Sequence, residues 1–261
     1  MGGKVILVTG AARRIGRIVA EWFGARGYDV CVHYKSSSRE AQEVVAGIVA
    51  CGQRACALQA DLAVAAQADS LVTRAFEYFG GLDVLVNCAS VFTQDSLADF
   101  DVDAFDRAWA TNGRAPLLLT RALYRRAQSA GTTGVVINVI DQKVRDNFQA
   151  DHFSYTVGKA ALGNLTKMLA LSAHPILRVN AIYPGLTLPS DDQSIEDFEY
   201  ASRHATPLAR IAGPQDLAQA IELLIGSAYN GVDFTVDGGQ HLRRVDRDVL
   251  YLYRDQAGAR T

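Results

Sequence analysis

"VTGAARRIGR", residues 8–17, joins a short apolar run, "KVIL" at 4–7, to a stretch with helical periodicity. Gly10 and Gly16 stand at the two ends of this turn. Glycine at those places admits a tight strand-to-helix turn and a close approach to the backbone that a Cβ would block. Such a turn aims backbone N–H groups from a helix N-terminus and suits a pyrophosphate. The middle glycine of the pattern is missing, and Arg14 stands in its place. Two glycines around a turn are also compatible with a purely structural turn.

Outward from this turn, β-branched runs alternate with helical stretches. Strands are expected at 4–9, 29–34, 54–60, 83–89, 134–140, 176–184 and 232–239. Helices are expected at 15–27, 38–52, 67–80, roughly 101–129, 154–173 and 213–226. Nearly continuous apolar strands separated by helices predict an α/β fold: a single-domain, Rossmann-type, doubly wound parallel sheet of about seven strands, with helices on both faces. The domain spans 1–242, and a tail occupies 243–261. The tail's "VLYLY" packs on its own domain or across a subunit interface, and the sequence does not choose.

Hydrophobic residues make up 49% and charged residues 21% of the 261, which suits a globular core. The net charge is −2, and no basic run suggests nucleic-acid binding. No apolar run reaches bilayer length. The N-terminal run ends in Thr9-Gly10 rather than a cleavage site, so a cytoplasmic protein is expected. Cys31, Cys51, Cys56 and Cys88 lack metal-ligand spacing. They are expected to be buried free thiols, and no metal is expected.

In a doubly wound sheet, ligands bind outside the carboxyl ends of the strands. The longest irregular stretch, 185–213, lies at that end and is a candidate lid or a surface excursion. Its "PSDDQSIEDFEY" begins polar and then suggests a short helix. Tyr155 and Lys159 are four apart on an expected helix and share a face. An ammonium beside a tyrosine favours the phenolate, which suits proton transfer near neutral pH.

"TGAARRIG", "ADL" at 60–62, "VNCAS" at 86–90, "TNGRAP" at 111–116, Tyr155-x-x-x-Lys159, "YPG" at 183–185 and "DGG" at 237–239 occur in one order. That order resembles the short-chain dehydrogenases/reductases over about residues 4–242. The resemblance implies a nicotinamide cofactor, hydride transfer and a homotetramer. It implies catalytic roles for Asn112, Tyr155 and Lys159. It places Asp61 and Leu62 by the adenine and Asn87 and Ala89 on the nicotinamide side. It adds Ile15, Ser90, Pro184, Gly185 and Leu186 as cofactor contacts.

After the second strand come His33, Tyr34, Lys35, Ser36, Ser37, Ser38 and Arg39, with no carboxylate before Glu40. An acidic residue there would serve the ribose hydroxyl of NAD. A lysine with hydroxyl donors suits a 2′-phosphate, and Arg14 adds charge, so NADPH is the expected cofactor. His33, Tyr34, Lys35 and Ser36 are its expected contacts, and His33 has no catalytic role.

Two departures from the common pattern stand out. Asp141 occupies the place of the usual catalytic serine, and Arg14 that of the glycine. Together they resemble the pteridine reductase branch, which includes bacterial dihydromonapterin reductases. On that resemblance, Arg14, Ser90, Phe92, Asp141, Tyr155 and Leu186 hold the substrate, with Phe92 stacking on a pterin ring. Plainer readings stay open: Phe92 as a core aromatic, Asp141 as a loop acid paired with Lys143, and Ser90 as a turn residue.

An ionised aspartate only accepts hydrogen bonds, so it opposes the oxyanion of ketone reduction. It also keeps Tyr155 protonated, which suits reduction of a ring C=N bond. The expected function is therefore NADPH-dependent reduction of a dihydropterin or dihydrofolate. A short-chain carbonyl reductase is the alternative, and an NADPH-sensing binding protein is a third reading, opposed by the intact Tyr155–Lys159 pair.

Overall fold

The computed structural model describes residues 3–190 and 193–252. Seven strands, β1 (Val5–Val8), β2 (Asp29–Tyr34), β3 (Ala55–Gln59), β4 (Val84–Asn87), β5 (Gly134–Val139), β6 (Leu177–Pro184) and β7 (Asp233–Val236), form one sheet. Their order is β3-β2-β1-β4-β5-β6-β7, and every pairing is parallel. The order reverses between β1 and β4, which opens a crevice at their carboxyl ends.

The strands bury both faces, as their apolar runs require. Leu7, Leu85, Val136 and Val179 face one layer, with α3 (Ala65–Phe79) and α5 (Ala115–Ala130). Ile6, Val8, Val86 and Ile137 face the other, with α1 (Arg14–Gly24), α2 (Ser38–Ala50) and α8 (Pro214–Leu224). Neighbouring strand residues thus serve opposite cores, which is the period-two signature of a sheet covered on both sides.

The helical region expected over 101–129 is two helices, α4 (Val102–Trp109) and α5, joined by a π turn at Ala110–Arg114. The turn swings Asn112 toward α6 (Phe153–Ser172), whose Gly158 would carry a Cβ only 2.9 Å from the Asn112 Cβ. The stretch 185–213 is not wholly irregular, because it contains α7 (Ile195–His204), capped by Ser194. Asp191 and Asp192 of that stretch lie outside the described residues. The cysteine expectation needs correction: Cys31 and Cys56 are buried, but Cys51 is exposed and Cys88 partly so, and all four are free thiols. Cys51 caps a surface helix, so nothing packs over it.

Past β7, Gly238 and Gly239 adopt positive φ in a tight turn, and Asp237 accepts from the Gly239 and His241 N–H groups. The tail then runs back to the cavity and forms a single turn, α9 (Val249–Leu252). Val249 and Leu250 bury their side chains on the chain's own domain. The rest of the tail, including Tyr253, lies outside the described residues. No helix among the described residues is long and apolar enough to cross a membrane.

Candidate active site

A cavity of about 680 Å³ lies at the carboxyl ends of the strands, where the order reverses. One end of it is main chain. Gly10 has φ +66°, and a Cβ there would sit 2.9 Å from the Ala89 Cα. A Cβ on Gly16 would lie 2.3 Å from the Gly10 carbonyl oxygen. The Gly10 N–H donates to His33 Nδ1 at 3.0 Å, and His33 Nε2 lies 3.1 Å from the Ala60 oxygen. These bonds fix a neutral ring with its proton on Nε2. Burial holds its pKa down at about 4. His33 lines the cavity, but both ring nitrogens are committed to the fold, so it braces the turn.

Arg14, with φ +53°, opens α1 and donates from Nη1 to the Pro189 oxygen at 2.8 Å. Ile15 and Gly16 line the cavity beside it. Lys35 Nζ lies 2.9 Å from Asp61 Oδ2, and Leu62 completes that wall. Arg13 also lines the cavity, paired with Glu40. Sequence reasoning passed over Arg13, although a second basic residue in the turn was the available signal.

Two expected cofactor contacts stand apart from this lining. Tyr34 does not line the cavity, because it packs on the core between β2 and its helices. Ser36 is exposed beyond the strand end and does not line it either.

The other end is built of side chains. Tyr155 Oη donates to Asp141 Oδ2 at 2.7 Å, and Asp141 Oδ1 accepts from the Lys143 N–H at 2.8 Å. Burial pushes the Tyr155 phenol well above its usual pKa, and the Asp141 charge adds to this. The lysine effect expected from the Tyr155–Lys159 spacing is therefore outweighed. Lys159 Nζ, 5.7 Å from the Tyr155 ring centre, donates to the Val139 oxygen at 2.7 Å. Burial lowers its pKa to about 8. Asp141 is not ion-paired with Lys143, whose ammonium instead meets Asp248 Oδ2 at 2.7 Å. Burial opposes the Lys143 charge, but Asp248 and then Asp141 outweigh it and raise its pKa.

Phe92 is half exposed rather than a core aromatic. It stacks on His152 at 3.8 Å and meets the Tyr155 ring edge-on at 4.7 Å. Ser90 and Ala89 line the cavity. Ser90 Oγ donates to Asn112 Oδ1 at 3.3 Å.

Asn112 itself is fully buried behind that wall. Its amide accepts from Val91 N at 2.9 Å and donates to Val91 O at 2.8 Å. The Asn112 side chain thus pins the 88–92 loop from behind the cavity wall. Asn87 also lies behind the wall. It pairs with Asn138 across the β4–β5 register, Nδ2 to Oδ1 at 2.8 Å, and is buried beneath the wall that Ala89 and Ser90 form.

Pro184, Gly185 and Leu186 form the third side. Leu186 N–H donates to Gln240 Oε1 at 2.8 Å, and a Cβ on Gly185 would meet the Asp237 Cβ at 2.6 Å. The "DGG" turn thus sets the position of the loop after β6. Lys143, Asp248, Val249 and Leu250 also line the cavity and were not foreseen. Lys143 was visible two residues after Asp141, but its partner lies 105 residues on. Among the described residues, no group of three or more His, Cys, Asp or Glu could hold a metal.

Taken together, the cavity offers a glycine-cut helix N-terminus at one end and a protonated tyrosine, a carboxylate and a buried lysine at the other. That arrangement can hold a dinucleotide and move a proton beside it. The family model described as enoyl-(acyl carrier protein) reductase matches residues 10–241. The chain is 31% identical over 256 residues to the short chain dehydrogenase/reductase AacuN of Aspergillus aculeatus, covering 92% of this chain and 96% of that one. It is 34% identical over 250 residues to L-rhamnose 1-dehydrogenase (NAD(P)(+)) of Sphingomonas sp., covering 92% and 97%. Its fold matches the crystal structure of FolM alternative dihydrofolate reductase 1 from Brucella canis complexed with NADP, with a TM-score of 0.87, 35% identity and 94% and 96% coverage. The chain belongs to the short-chain dehydrogenase/reductase family.

Proposed function

We propose that this protein is an NADPH-dependent reductase of a C=N bond in a pterin ring, taking a dihydropterin or dihydrofolate to the tetrahydro form. The Tyr155–Asp141 hydrogen bond carries the reading: a carboxylate stands where a ketone reductase needs a donor.

The residues present fit the cofactor. Gly10 and Gly16 leave a cradle that a Cβ would fill, at the N-terminus of α1. Arg13, Arg14 and Lys35 bring positive charge to the same end, and Asp61 and Leu62 flank it. Bound there, NADPH supplies a hydride. The similarity to the Brucella dihydrofolate reductase, itself complexed with NADP, supports both parts of the reading.

The protein's own residues would act as follows. Asp141 holds the Tyr155 proton in place and keeps the phenol neutral, so the site delivers a proton rather than stabilising an oxyanion. A ring nitrogen is basic enough to take that proton from Tyr155 or from water held by Tyr155 and Asp141. Lys159, protonated below about pH 8, supplies the counter-charge. Phe92 offers a half-open ring to a flat substrate, Ser90 and Arg14 its polar partners, and Leu186 an apolar edge. Asn112 acts as a positioning residue for the loop that carries Ser90 and Phe92.

The exposed apolar Met168 and Leu171 on α6 support self-association; the homotetramer is the state that light scattering would test. A second reading, carbonyl reduction, is favoured by the similarity to a sugar dehydrogenase. Asp141→Ser and Asp141→Asn, assayed with a dihydropterin and a small ketone, separate the two. Pterin turnover falls and ketone turnover holds or rises if the proposal is right. Pterin turnover intact in both variants, or ketone turnover alone in the wild type, would sink it.

A further inference from the structure

Residues 245–251 reach the substrate end of the cavity from the far end of the sequence, and several contacts of different kinds hold them there. Asp248 forms the buried ion pair with Lys143, whose side chain is 3% exposed. The Asp248 N–H donates to Asp151 Oδ2 at 3.0 Å. Val245 N–H donates to Asn147 Oδ1 at 3.3 Å, and Ala150 N–H to the Asp246 oxygen at 3.1 Å. Tyr251 stacks on His152 at 5.7 Å, and His152 in turn stacks on Phe92 at 3.8 Å. α9 also packs beside α7. Between these anchors, Val249 and Leu250 turn buried apolar side chains into the cavity wall.

The geometry points to this segment as the wall that selects substrates by size and charge, with Val249 and Leu250 as the selecting side chains and Lys143–Asp248 as the anchor. A buried ion pair broken on one side leaves an uncompensated charge, so the pair fixes the segment firmly. The wall meets whatever the substrate carries beyond its reacting ring. Val249, Leu250 and Leu188 give that substituent an apolar surface, and the Lys143 ammonium is already committed to Asp248. The cavity therefore favours a compact, uncharged substituent over a long one ending in carboxylates. Only the choice of pterin probes rests on the proposed function, because the wall acts on any substrate of this cavity.

The test uses the full chain with saturating NADPH and two pairs of probes. One pair is a hydroxymethyl-bearing dihydropterin and dihydrofolate. The other is a small cyclic ketone and a steroid-sized ketone. In Val249→Ala/Leu250→Ala, kcat/KM for the large probe relative to the small one rises about tenfold, mainly through KM. Asp248→Asn frees amides 245–251 to hydrogen exchange and raises the same ratio. Lys143→Met/Asp248→Leu, which removes both charges, restores protection. A ratio unmoved in the double alanine variant, or a tail still protected in Asp248→Asn, overturns the inference. If dihydropterins are not turned over but ketones are, the proposed function fails while the ketone ratio still judges the wall. With neither turned over, hydrogen exchange in Asp248→Asn decides.

Discussion

At the end of the cavity formed by the first turn, the wall is backbone: Gly10, Gly16 and the start of α1, with charges on the surface as pairs such as Lys35–Asp61. At the opposite end, Tyr155, Lys159 and Lys143 are buried and hold their hydrogens on Asp141, Val139 and Asp248. The first end tolerates little change in shape and much in side-chain chemistry. The second depends on which charges sit beside which. A general ligand contact suits a main-chain cradle, and a particular reaction needs placed side chains.

The largest expected effect attacks the cradle. Gly16→Val drives a side chain into the Gly10 carbonyl and should abolish NADPH binding, read by fluorescence titration. The melting temperature should fall by about 5–10 °C. Binding retained in that variant would break the claim that this end is built by shape. Tyr155→Phe removes the proton donor and should lower turnover about 10²–10⁴-fold while NADPH affinity is kept. A matching loss of affinity would show that the two ends are not separable. Lys35→Ala should weaken NADPH binding about tenfold and spare binding of NADH, a modest effect because the lysine is largely exposed.

The smallest effect is in pH. Lys159 loses its proton near pH 8, so kcat/KM should decline above that value, and Tyr155, held higher, should add no second step nearby. The sign for stability is opposite. Between about pH 8 and the ordinary lysine value of 10.5, the unfolded chain binds more protons at this position than the folded one. The wild type should therefore gain stability relative to Lys159→Met as pH rises through that window, and thermal melts across it would show this.

The strands and the cradle were legible because each is written in a local pattern. β2 spans Asp29–Tyr34, as its β-branched run predicts, and the glycines mark the turn. The Asp141–Tyr155 contact was legible because a strand end and a helix face bring them together across fourteen residues. What escaped had partners remote in sequence or side chains turned by local geometry. Asn87 stands at a strand end, but its Nδ2 donates to Asn138, which itself donates to Thr166 on α6. Asn112 sits in a π turn, and no spacing in "TNGRAP" announces one. The Lys143–Asp248 pair joins two charges that no periodicity connects.

Arg14 holds a backbone conformation that side chains ordinarily avoid. That conformation costs about 1–2 kcal/mol. A glycine there would relieve the cost but give the unfolded chain more freedom, worth about 0.4–1 kcal/mol. The first effect exceeds the second, by about 1 kcal/mol at mid-range, so the backbone alone mildly prefers glycine at residue 14. Its identity is then set by what the guanidinium touches: the Pro189 carbonyl and the cavity. An exchange at this position can redirect ligand choice for only about 1 kcal/mol of stability, which makes it a place where members of such a fold can diverge in chemistry while remaining folded.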